Sequence, residues 1–372
     1  MTMNKIFSQV ICASLITVAC LGTVLAQNAP ENLLPVQQNG KWGYINRSGE
    51  IVIKPQFNSA DLFVDGLALV RFPLRKKFLK AGEKKAEVAG GIGFIGQNGK
   101  VVLELRPMGL DGDSFSEGLV QYSTNEPGKG AVYGYIDTSG KIQIKARFTV
   151  AYSFADGLAA ACMDIDLKCG FIDKTGEFVI EPKYVLTRPF SEGFGLAGFE
   201  RNRIGFVNKS GEMVIEPQFG YIGAVGFHDG LSVVAYPHGR FGYINTEGTV
   251  VIPMQFEMAQ PFSDGLAAVR VDSKWGYIDK TGKFVIKPQF VSAGPFSEGL
   301  APVFDNDSQS ATRTVDDNVT PTTRFIDKQG KLLFSLPIDF AEMFVNGVAR
   351  VRVGFKMGYI DKTGKYIWEP SN

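Results

Sequence analysis

The chain has 372 residues, with 39 basic and 38 acidic side chains, and 45% of its residues are hydrophobic. A charge balance this close to neutral gives no electrostatic reason to expect a nucleic-acid partner. The chain has only two histidines, and no nucleophile motif, phosphate-binding loop or His/Cys metal spacing occurs. We therefore expect a protein that is not an enzyme and that has no cofactor and no catalytic or metal site.

The first 26 residues have the features of a secretory signal peptide. Lys5 supplies a positive charge, Val10 to Leu25 is largely apolar, and Val24-Leu25-Ala26 is a small-residue cleavage site before Gln27. No later apolar run reaches the roughly 20 residues that a spanning helix needs. The mature chain, residues 27–372, is therefore expected to be exported to the periplasm or the extracellular medium, without a transmembrane segment.

A lipoprotein is the alternative for this N-terminus, with Cys20 acylated after Thr17-Val18-Ala19. Threonine is a poor residue at the first of those positions, and the stretch after Cys20 stays apolar. Both features favour cleavage between Ala26 and Gln27.

One sequence pattern recurs nine times beyond residue 32. Its clearest copy runs from Lys274 to Phe290 and is followed by an aromatic-x-acid-Gly segment, Phe296 to Gly299. The Gly-aromatic-aliphatic step begins at Gly43, Gly93, Gly134, Gly170, Gly205, Gly242, Gly276 and Gly358, and one further copy has Arg324 in place of the glycine. Repeats with a period near 35 residues predict units that bury their apolar faces against their neighbours.

Each unit is predicted to contain three strands, A, B and C. In the clearest copy these are Leu266–Val271, Lys274–Ile278 and Lys283–Ile286, because apolar and polar residues alternate there and β-branched and aromatic types are frequent. A proline follows strand C in most units and removes a ladder donor, so it is predicted to end that strand. These prolines are Pro55, Pro182, Pro217, Pro253, Pro288 and Pro370.

The B–C connection has Asp or Asn first and Gly fourth, as in Asp279 to Gly282. This pattern is typical of a type I turn followed by a left-handed residue. A metal-ligand role for the Asp is the alternative, but recurrence in nearly every unit favours the turn.

A second acid recurs in the turn before strand A. A carboxylate pair for glycoside hydrolysis is the alternative role for these acids, but a repeated acid in a repeated turn is more simply structural. They are Asp65, Glu117, Asp156, Glu192, Asp229, Asp264 and Glu298.

The repeated segments resemble the WG-repeat (KWG-repeat) family of mostly bacterial proteins. Lys41 to Ile45 and Lys274 to Ile278 both read Lys-Trp-Gly-Tyr-Ile, the motif that names the family. The resemblance covers essentially the whole chain beyond residue 32. It implies an all-β repeat array of binding or unassigned function, and no general catalytic activity transfers with it.

We expect an all-β fold of nine three-stranded antiparallel meanders in one continuous domain. Both ends of the array look like ordinary units without a polar cap, which favours a closed, propeller-like ring. Nine units exceed the usual four to eight propeller blades, which favours an open superhelical, solenoid-like array. The open array is our prediction.

Two cysteines remain after processing, Cys162 and Cys169. A two-residue turn between strands A and B of their unit would place them directly opposite each other, near enough to bridge. Because an exported protein meets oxidising conditions, we predict a disulfide, with two free buried thiols as the alternative.

Three units carry insertions between strands A and B, near residues 74–91, 123–132 and 305–323. Insertions at one structural position project from one edge of an array, where binding is common, although such loops also simply tolerate insertion. The candidate binding residues are Arg75, Lys76, Lys77, Lys80, Lys84, Lys85, Asp305, Asp307, Asp316 and Asp317. Asp305 and Asp307 suggest weak calcium binding but lack the glycine and glutamate of a calcium loop.

The leading functional hypothesis is an exported interaction protein. It would bind a protein, a peptide or a cell-envelope polysaccharide through the repeat surface or its inserted loops. A structural assembly protein of the envelope is the alternative, and a glycan or peptidoglycan hydrolase is a third.

Overall fold

The computed structural model describes residues 33–73, 75–77, 86–88, 91–105, 109–110, 115–128, 130–163, 168–200, 203–220, 226–236, 239–305 and 322–371. Every regular element within these ranges is a β-strand, which confirms the all-β class. The strands form nine small antiparallel sheets, one for each sequence unit, and a separate two-stranded hairpin. We call the nine sheets blades and number them in chain order.

The first three blades have the following strands. Blade 1 contains β1 (Leu34–Gln38), β2 (Lys41–Ile45) and β3 (Ile51–Phe57). Blade 2 contains β4 (Ser59–Ala60), β5 (Leu67–Arg71), β8 (Ile92–Gly96) and β9 (Val101–Leu105), and the hairpin β6 (Arg75–Lys77) and β7 (Ala86–Val88) extends from it. Blade 3 contains β10 (Gly109–Leu110), β11 (Leu119–Glu126), β12 (Gly130–Asp137) and β13 (Ile142–Phe148).

The middle three blades are complete four-stranded sheets. Blade 4 contains β14 (Val150–Ala151), β15 (Ala159–Met163), β16 (Lys168–Ile172) and β17 (Phe178–Tyr184). Blade 5 contains β18 (Leu186–Ser191), β19 (Phe194–Glu200), β20 (Arg203–Asn208) and β21 (Met213–Phe219). Blade 6 contains β22 (Phe227–His228), β23 (Leu231–Ala235), β24 (Phe241–Asn245) and β25 (Val250–Phe256).

The last three blades repeat the same order. Blade 7 contains β26 (Met258–Ala259), β27 (Ala267–Val271), β28 (Lys274–Ile278) and β29 (Phe284–Phe290). Blade 8 contains β30 (Ser292–Ala293), β31 (Ala301–Phe304), β32 (Thr323–Ile326) and β33 (Leu332–Leu336). Blade 9 contains β34 (Phe340–Ala341), β35 (Val348–Val353), β36 (Lys356–Asp361) and β37 (Tyr366–Ser371).

Strands A, B and C are present in every blade, and eight blades add a strand that was not predicted. This leading strand, usually two residues long, precedes strand A and pairs with its free edge. Two residues are too short to show an alternating pattern, which is why the sequence did not reveal it. The turn that joins it to strand A, here called the leading turn, contains the repeated acid and glycine.

The blades close into a ring, so the predicted open array is wrong. Nine hydrophobic clusters fill nine interfaces: eight lie between consecutive blades, and the ninth joins blade 9 to blade 1. The ninth contains Val36 and Ile45 of blade 1 with Val348 and Tyr359 of blade 9. The protein is therefore a nine-bladed β-propeller. The number of blades alone was a poor guide because closure depends on the angle between neighbouring sheets, which side-chain packing sets.

The repeated glycine of strand B is needed because strand C bulges towards it. In blade 7, Trp275 pairs with Phe290 but Tyr277 pairs with Ile286, so strand C has extra residues opposite Gly276. A Cβ on Gly276 would lie 2.6 Å from the Ile286 oxygen and the Pro288 nitrogen. The predicted ends of strand C at the prolines are wrong, because the prolines lie inside this bulged edge strand, where no ladder donor is required.

Blade 8 has no glycine at this position of strand B. There Arg324 replaces the glycine, and it pairs in regular register with Ser335 between Thr323–Leu336 and Phe325–Phe334. Blade 2 has the same regular register but keeps Gly93, where a Cβ would lie 2.2 Å from the Leu103 oxygen, so the register alone does not explain Arg324.

The connections of each blade lie at two opposite ends. Since neighbouring strands are antiparallel, the leading turns and the B–C turns share one end, the turn face. Lys174 of a B–C turn accordingly contacts Glu117 of a leading turn, 3.2 Å away. The A–B connections and the connections between blades lie at the other end, the loop face. All three insertions are attached to the loop face.

Candidate functional site

The leading turns are two-residue hairpin turns with both central residues in the left-handed region. In blade 7, Asp264 has φ 56° and Gly265 has φ 83°, and Ser263 and Leu266 exchange backbone hydrogen bonds across the turn. This is the type I′ geometry that Asp-Gly favours, because glycine has no Cβ and aspartate tolerates positive φ.

The acid of each leading turn accepts a hydrogen bond from the leading turn of the next blade. The Asp264 carboxylate accepts the Gly299 amide at 2.7 Å and the Lys328 ammonium at 2.6 Å. Burial acts to raise the pKa of Asp264, but these donors outweigh it and the pKa is lowered. Seven such carboxylate–amide links run from blade 2 to blade 9: Asp65–Gly118, Glu117–Gly157, Asp156–Gly193, Glu192–Gly230, Asp229–Gly265, Asp264–Gly299 and Glu298–Gly347. The repeated acids thus join blades to one another.

An aromatic stack crosses each of the same interfaces. The strand-B aromatic of one blade contacts the aromatic just before the leading turn of the next, with ring centroids 4.5 to 5.9 Å apart. All eight interfaces between consecutive blades have this pair: Tyr44–Phe63, Phe94–Phe115, Tyr135–Phe154, Phe171–Phe190, Phe206–Phe227, Tyr243–Phe262, Tyr277–Phe296 and Phe325–Phe344.

The contact between blades 9 and 1, here called the seam, differs from the other eight interfaces. Blade 1 has three strands within the described residues, which begin at Leu33, directly before β1. The Tyr359 hydroxyl donates to the Pro35 carbonyl at 2.9 Å, and the Ser371 hydroxyl donates to the Gln37 carbonyl at 2.8 Å. In other blades the equivalent tyrosine donates to the next blade's leading segment, as Tyr277 does to the Gly294 carbonyl.

A cavity of about 150 Å³ opens at the seam beside Tyr359. Its walls are mostly apolar, and residues from the leading segments of blades 9 and 2 line it together with residues of blade 1. The apolar lining comes from Leu33, Leu34, Leu62, Phe63, Met343, Val345 and Val348, in addition to Tyr359.

The polar lining of the cavity consists of two arginines, a glutamate and an asparagine. Arg350 donates to Glu342 through Nε at 2.8 Å. Burial acts to lower the pKa of Arg350, but the hydrogen bond that it donates to the Glu342 carboxylate outweighs burial and raises that pKa. Arg47 and Asn346 complete the lining, and Arg47 has no acidic partner among the described residues. The described part of the seam therefore combines an apolar cavity with two arginines, of which Arg350 is paired with Glu342.

Exposed aromatic side chains form a second candidate surface, on the loop face. Phe355 lies at the tip of the β35–β36 hairpin of blade 9 and is 97% exposed. Phe340 of the same blade is about half exposed, and its ring lies 5.7 Å from the Arg352 guanidinium. We call these three residues the blade-9 tip.

The candidate residues in the inserted loops are only partly described. Arg75, Lys76 and Lys77 lie in β6, paired with β7 on the loop face. Asp305 follows strand A of blade 8 and forms an ion pair with Arg324 of strand B. The remaining candidates lie outside the described residues: Lys80, Lys84, Lys85, Asp307, Asp316 and Asp317. The signal-peptide residues, with Cys20, Ala26 and Gln27, lie outside them too.

Cys162 and Cys169 are joined by a disulfide in the structure. Strands A and B of blade 4 place them directly opposite each other, with Met163 opposite Lys168, as the predicted register requires. Both cysteines are buried, and Cys169 occupies the position that tryptophan holds in blade 7.

No group of three or more His, Cys, Asp or Glu side chains is arranged to hold a metal ion in the described part of the chain. The predicted B–C turns are confirmed: the Asp279 carboxylate accepts the backbone amides of Thr281 and Lys283, and Gly282 has φ 82°. Within the same described ranges, no helix has the length and apolar character needed to cross a membrane.

The seam cavity is the feature that the sequence pattern did not predict. Its lining comes from blades 1, 2 and 9, and only closure of the ring brings these blades together.

Several solved structures resemble this fold at low sequence identity. The computationally designed Ika8 protein is 10% identical, with a TM-score of 0.46, over 90% of this chain and 98% of that one. BamB from Moraxella catarrhalis is 12% identical, with a TM-score of 0.41, over 76% of this chain and 94% of that one. AztD from Citrobacter koseri is 13% identical, with a TM-score of 0.40, over 76% and 91%. Likenesses at these TM-scores carry no inference about function.

No curated protein sequence matches the chain. The family profile described as "WG containing repeat" matches seven segments, residues 42–72, 133–164, 170–202, 204–235, 241–275, 275–307 and 324–354. These segments make up more than half of the chain and include strands from every blade. The protein belongs to the WG-repeat family.

Proposed function

We propose that this propeller is an exported, non-enzymatic interaction protein that binds a partner protein at its loop face. The observation that supports this most is the position of Phe355, which projects from a hairpin tip with 97% of its surface exposed. A large aromatic side chain in water is unfavourable by roughly 2 kcal/mol relative to a buried one, so full exposure indicates a side chain that is buried in a complex.

The hairpin itself does not need Phe355. Gly354 adopts a positive φ of 62° at the turn, and its amide donates to the Asp339 carboxylate. These backbone features define the turn, so the fold leaves the residue at position 355 free. Phe340 and Arg352 extend the same surface with an apolar ring and a cation, a combination common at the centre of protein interfaces.

A protein partner fits this surface better than a polysaccharide. Sugar recognition needs aromatic faces together with several converging polar side chains, and Phe355 has Gly354 and Lys356 as its chain neighbours. The strand-B aromatics that would offer further stacking faces, such as Tyr44 and Tyr277, are fully buried. A structural role in envelope assembly remains the alternative function, and it would use the same loop face.

Photo-crosslinking from single positions tests the proposal. A photoreactive phenylalanine analogue is placed at Phe355 in cells that produce the full chain, with Phe284 as the control, an exposed aromatic on edge strand C. We expect a discrete protein adduct from position 355 and none from 284. Phe355→Ser should abolish capture of that adduct's protein without changing the melting temperature. Equal adducts from both positions, or none from 355, would contradict the proposal.

Export is tested by the processed N-terminus. We expect the protein recovered from the periplasm or medium to begin at Gln27. A chain that begins with a lipidated Cys20 would establish the lipoprotein, and recovery of the intact 372-residue chain from the cytoplasm would contradict export.

A further inference from the structure

We propose that the protein forms a dimer through the edge strand of blade 8, in which β33 (Leu332–Leu336) of one copy pairs antiparallel with β33 of a second copy. The two four-stranded sheets of blade 8 then become one continuous sheet across the contact. We call the free side of β33 the blade-8 edge. The inference rests on this edge alone and does not depend on the loop face.

The nine strands C are all edge strands. Strand C is the last strand of its sheet in every blade, so among the described residues it has a neighbouring strand on one side only. Such an edge presents backbone groups that can pair with another chain, and natural proteins block it with charged side chains, prolines or bulges. The nine strands C can therefore be compared for these three features.

Eight of the nine strands C have a charged residue or a proline at their fourth position. Blade 6 has the proline there, Pro253, and in several of the charged strands a proline follows the charged residue directly, as Pro288 follows Lys287. The charged residues are Lys54, Glu104, Lys145, Glu181, Glu216, Lys287 and Glu369.

Blade 8 has neither feature. Its strand C reads Leu-Leu-Phe-Ser-Leu, with Ser335 at the fourth position and Leu336 at the fifth. It keeps the register shift near its first residues that all nine blades share, but it lacks the second bulge seen in blade 7, because Ser335 pairs in register with Arg324. The blade-8 edge is thus the least protected of the nine strand-C edges.

The blade-8 edge offers apolar side chains together with backbone groups. Leu332 and Leu333 are 43% and 46% exposed. The Lys331 carbonyl accepts the Asp327 amide and so faces strand B, and since backbone direction alternates along a strand, the amide and carbonyl of Leu332 point to the open side. Both leucines lie at the turn-face end of β33, opposite to the end at which the blade-8 insertion is attached.

Charge favours a second copy as the partner of this edge. Two copies of one strand carry the same side chains, so self-pairing of an edge with Lys54 or Lys287 would bring like charges together, which is destabilising. No side chain of β33 is charged, so two copies can pair without this repulsion. A contact of identical edges about a twofold axis is closed, and assembly therefore stops at two copies.

Sedimentation velocity of the natural protein, from micromolar to submillimolar concentrations, is the first test. Two short strands and their leucines make a small interface, so we expect a weak dimer whose fraction rises with concentration. The mass should approach that of two copies and should not exceed it.

Ser335→Lys installs on β33 the charge that other edges carry. It should raise the dissociation constant of the dimer at least about tenfold, because the two copies would then bring lysines together. The melting temperature should not change, since blades 1, 3 and 7 fold with a lysine at this position. Gln289→Lys is the matched control: it adds a lysine at an exposed position of strand C in blade 7, and it should leave the dimer unchanged.

Hydrogen exchange of the natural chain locates the contact without any substitution. Backbone amides of β33 should exchange more slowly at high protein concentration than at low concentration. The amides of β29 (Phe284–Phe290), an edge with Lys287 and Pro288, should show no such difference.

Four outcomes would overturn the inference. They are a monomer at every concentration, a dimer that Ser335→Lys leaves intact, concentration-dependent protection of amides that excludes β33, and assembly beyond two copies. Phe355→Ser, on the loop face, should leave the dimer intact, so the blade-8 edge and the loop-face proposal fail independently. Loss of the dimer in that variant would assign the contact to the loop face and would also overturn the inference.

Discussion

The Tyr359 hydroxyl donates a hydrogen bond to the Pro35 carbonyl at 2.9 Å and joins two residues that are 324 positions apart in the chain. Tyr359 belongs to the last blade and Pro35 to the first, so this bond crosses the point where the ring closes. Both groups are buried, and burial raises the pKa of Tyr359 above its ordinary value. The tyrosine therefore remains a neutral donor at physiological pH.

Tyr359→Phe is expected to destabilise the protein by about 1–3 kcal/mol, because it leaves the buried Pro35 carbonyl without its donor. Tyr277→Phe is the matched control, since Tyr277 makes the same kind of bond to Gly294 within the ring, in a partly exposed position. We expect Tyr277→Phe to cost about 1 kcal/mol. Urea denaturation of both variants measures the difference between their free energies of unfolding. An unchanged free energy of unfolding in Tyr359→Phe would show that ring closure does not depend on this bond.

Gly276→Ala tests the reason for the repeated glycine. The new Cβ would lie 2.6 Å from the Ile286 oxygen, so strand C must move, and we expect a loss of more than about 3 kcal/mol. Gly265→Ala is the control: its φ of 83° strains an alanine, but no atom lies within 4 Å of the new Cβ. That variant should cost only about 1–2 kcal/mol. Equal losses in thermal melts of the two variants would mean that conformational strain, and not the bulge, explains the glycine.

The strands and turns were predictable because residues close together in the sequence determine them. Strand B of blade 7 was predicted at its observed bounds, Lys274–Ile278, and the Asp279 turn has the predicted geometry. Strand C was predicted too short, because the bulge that tolerates Pro288 depends on its pairing with strand B.

Closure and the seam were not predictable from local patterns. Whether the array closes depends on packing between Val36 and Tyr359, which lie at opposite ends of the chain. The cavity is lined by Leu33 of blade 1, Phe63 of blade 2 and Val348 of blade 9, which lie far apart in the chain. The leading strands were missed because Ser292–Ala293 is too short to show a period.

The disulfide of blade 4 should add modestly to stability. It closes a loop with a sequence separation of seven residues, for which the loop-closure relation gives about 2 kcal/mol. We expect Cys162→Ala together with Cys169→Ala to lower stability by about that amount, and Cys162→Ala alone to leave one reactive thiol in the unfolded chain. Mass spectrometry of the unreduced protein provides the direct measurement, and two alkylated cysteines without prior reduction would contradict the bond.

Low pH should weaken the B–C turns. The Ser139 hydroxyl and other donors hold the pKa of Asp137 at about 2, and hydrogen bonds from Thr175 and Thr281 lower the pKa of Asp173 and Asp279. A carboxylate whose folded pKa is depressed contributes stability above its unfolded pKa, near 3.8, and loses it as the pH falls. Stability should therefore decline between about pH 4 and pH 2.

Replacement of these turn aspartates by asparagine provides the control for the loss of stability at low pH. Blades 1, 5 and 6 already have asparagine at this turn position. The Asn46 side-chain oxygen accepts the Ser48 amide at 3.1 Å, as the Asp173 carboxylate accepts the Thr175 amide at 2.8 Å. A variant with Asp137→Asn, Asp173→Asn and Asp279→Asn should therefore fold but be less stable at pH 7, since the neutral amide accepts weaker hydrogen bonds. Its urea midpoint should fall less steeply between pH 4 and pH 2 than that of the natural chain. An unchanged slope would assign acid sensitivity to other carboxylates, such as those of the leading turns.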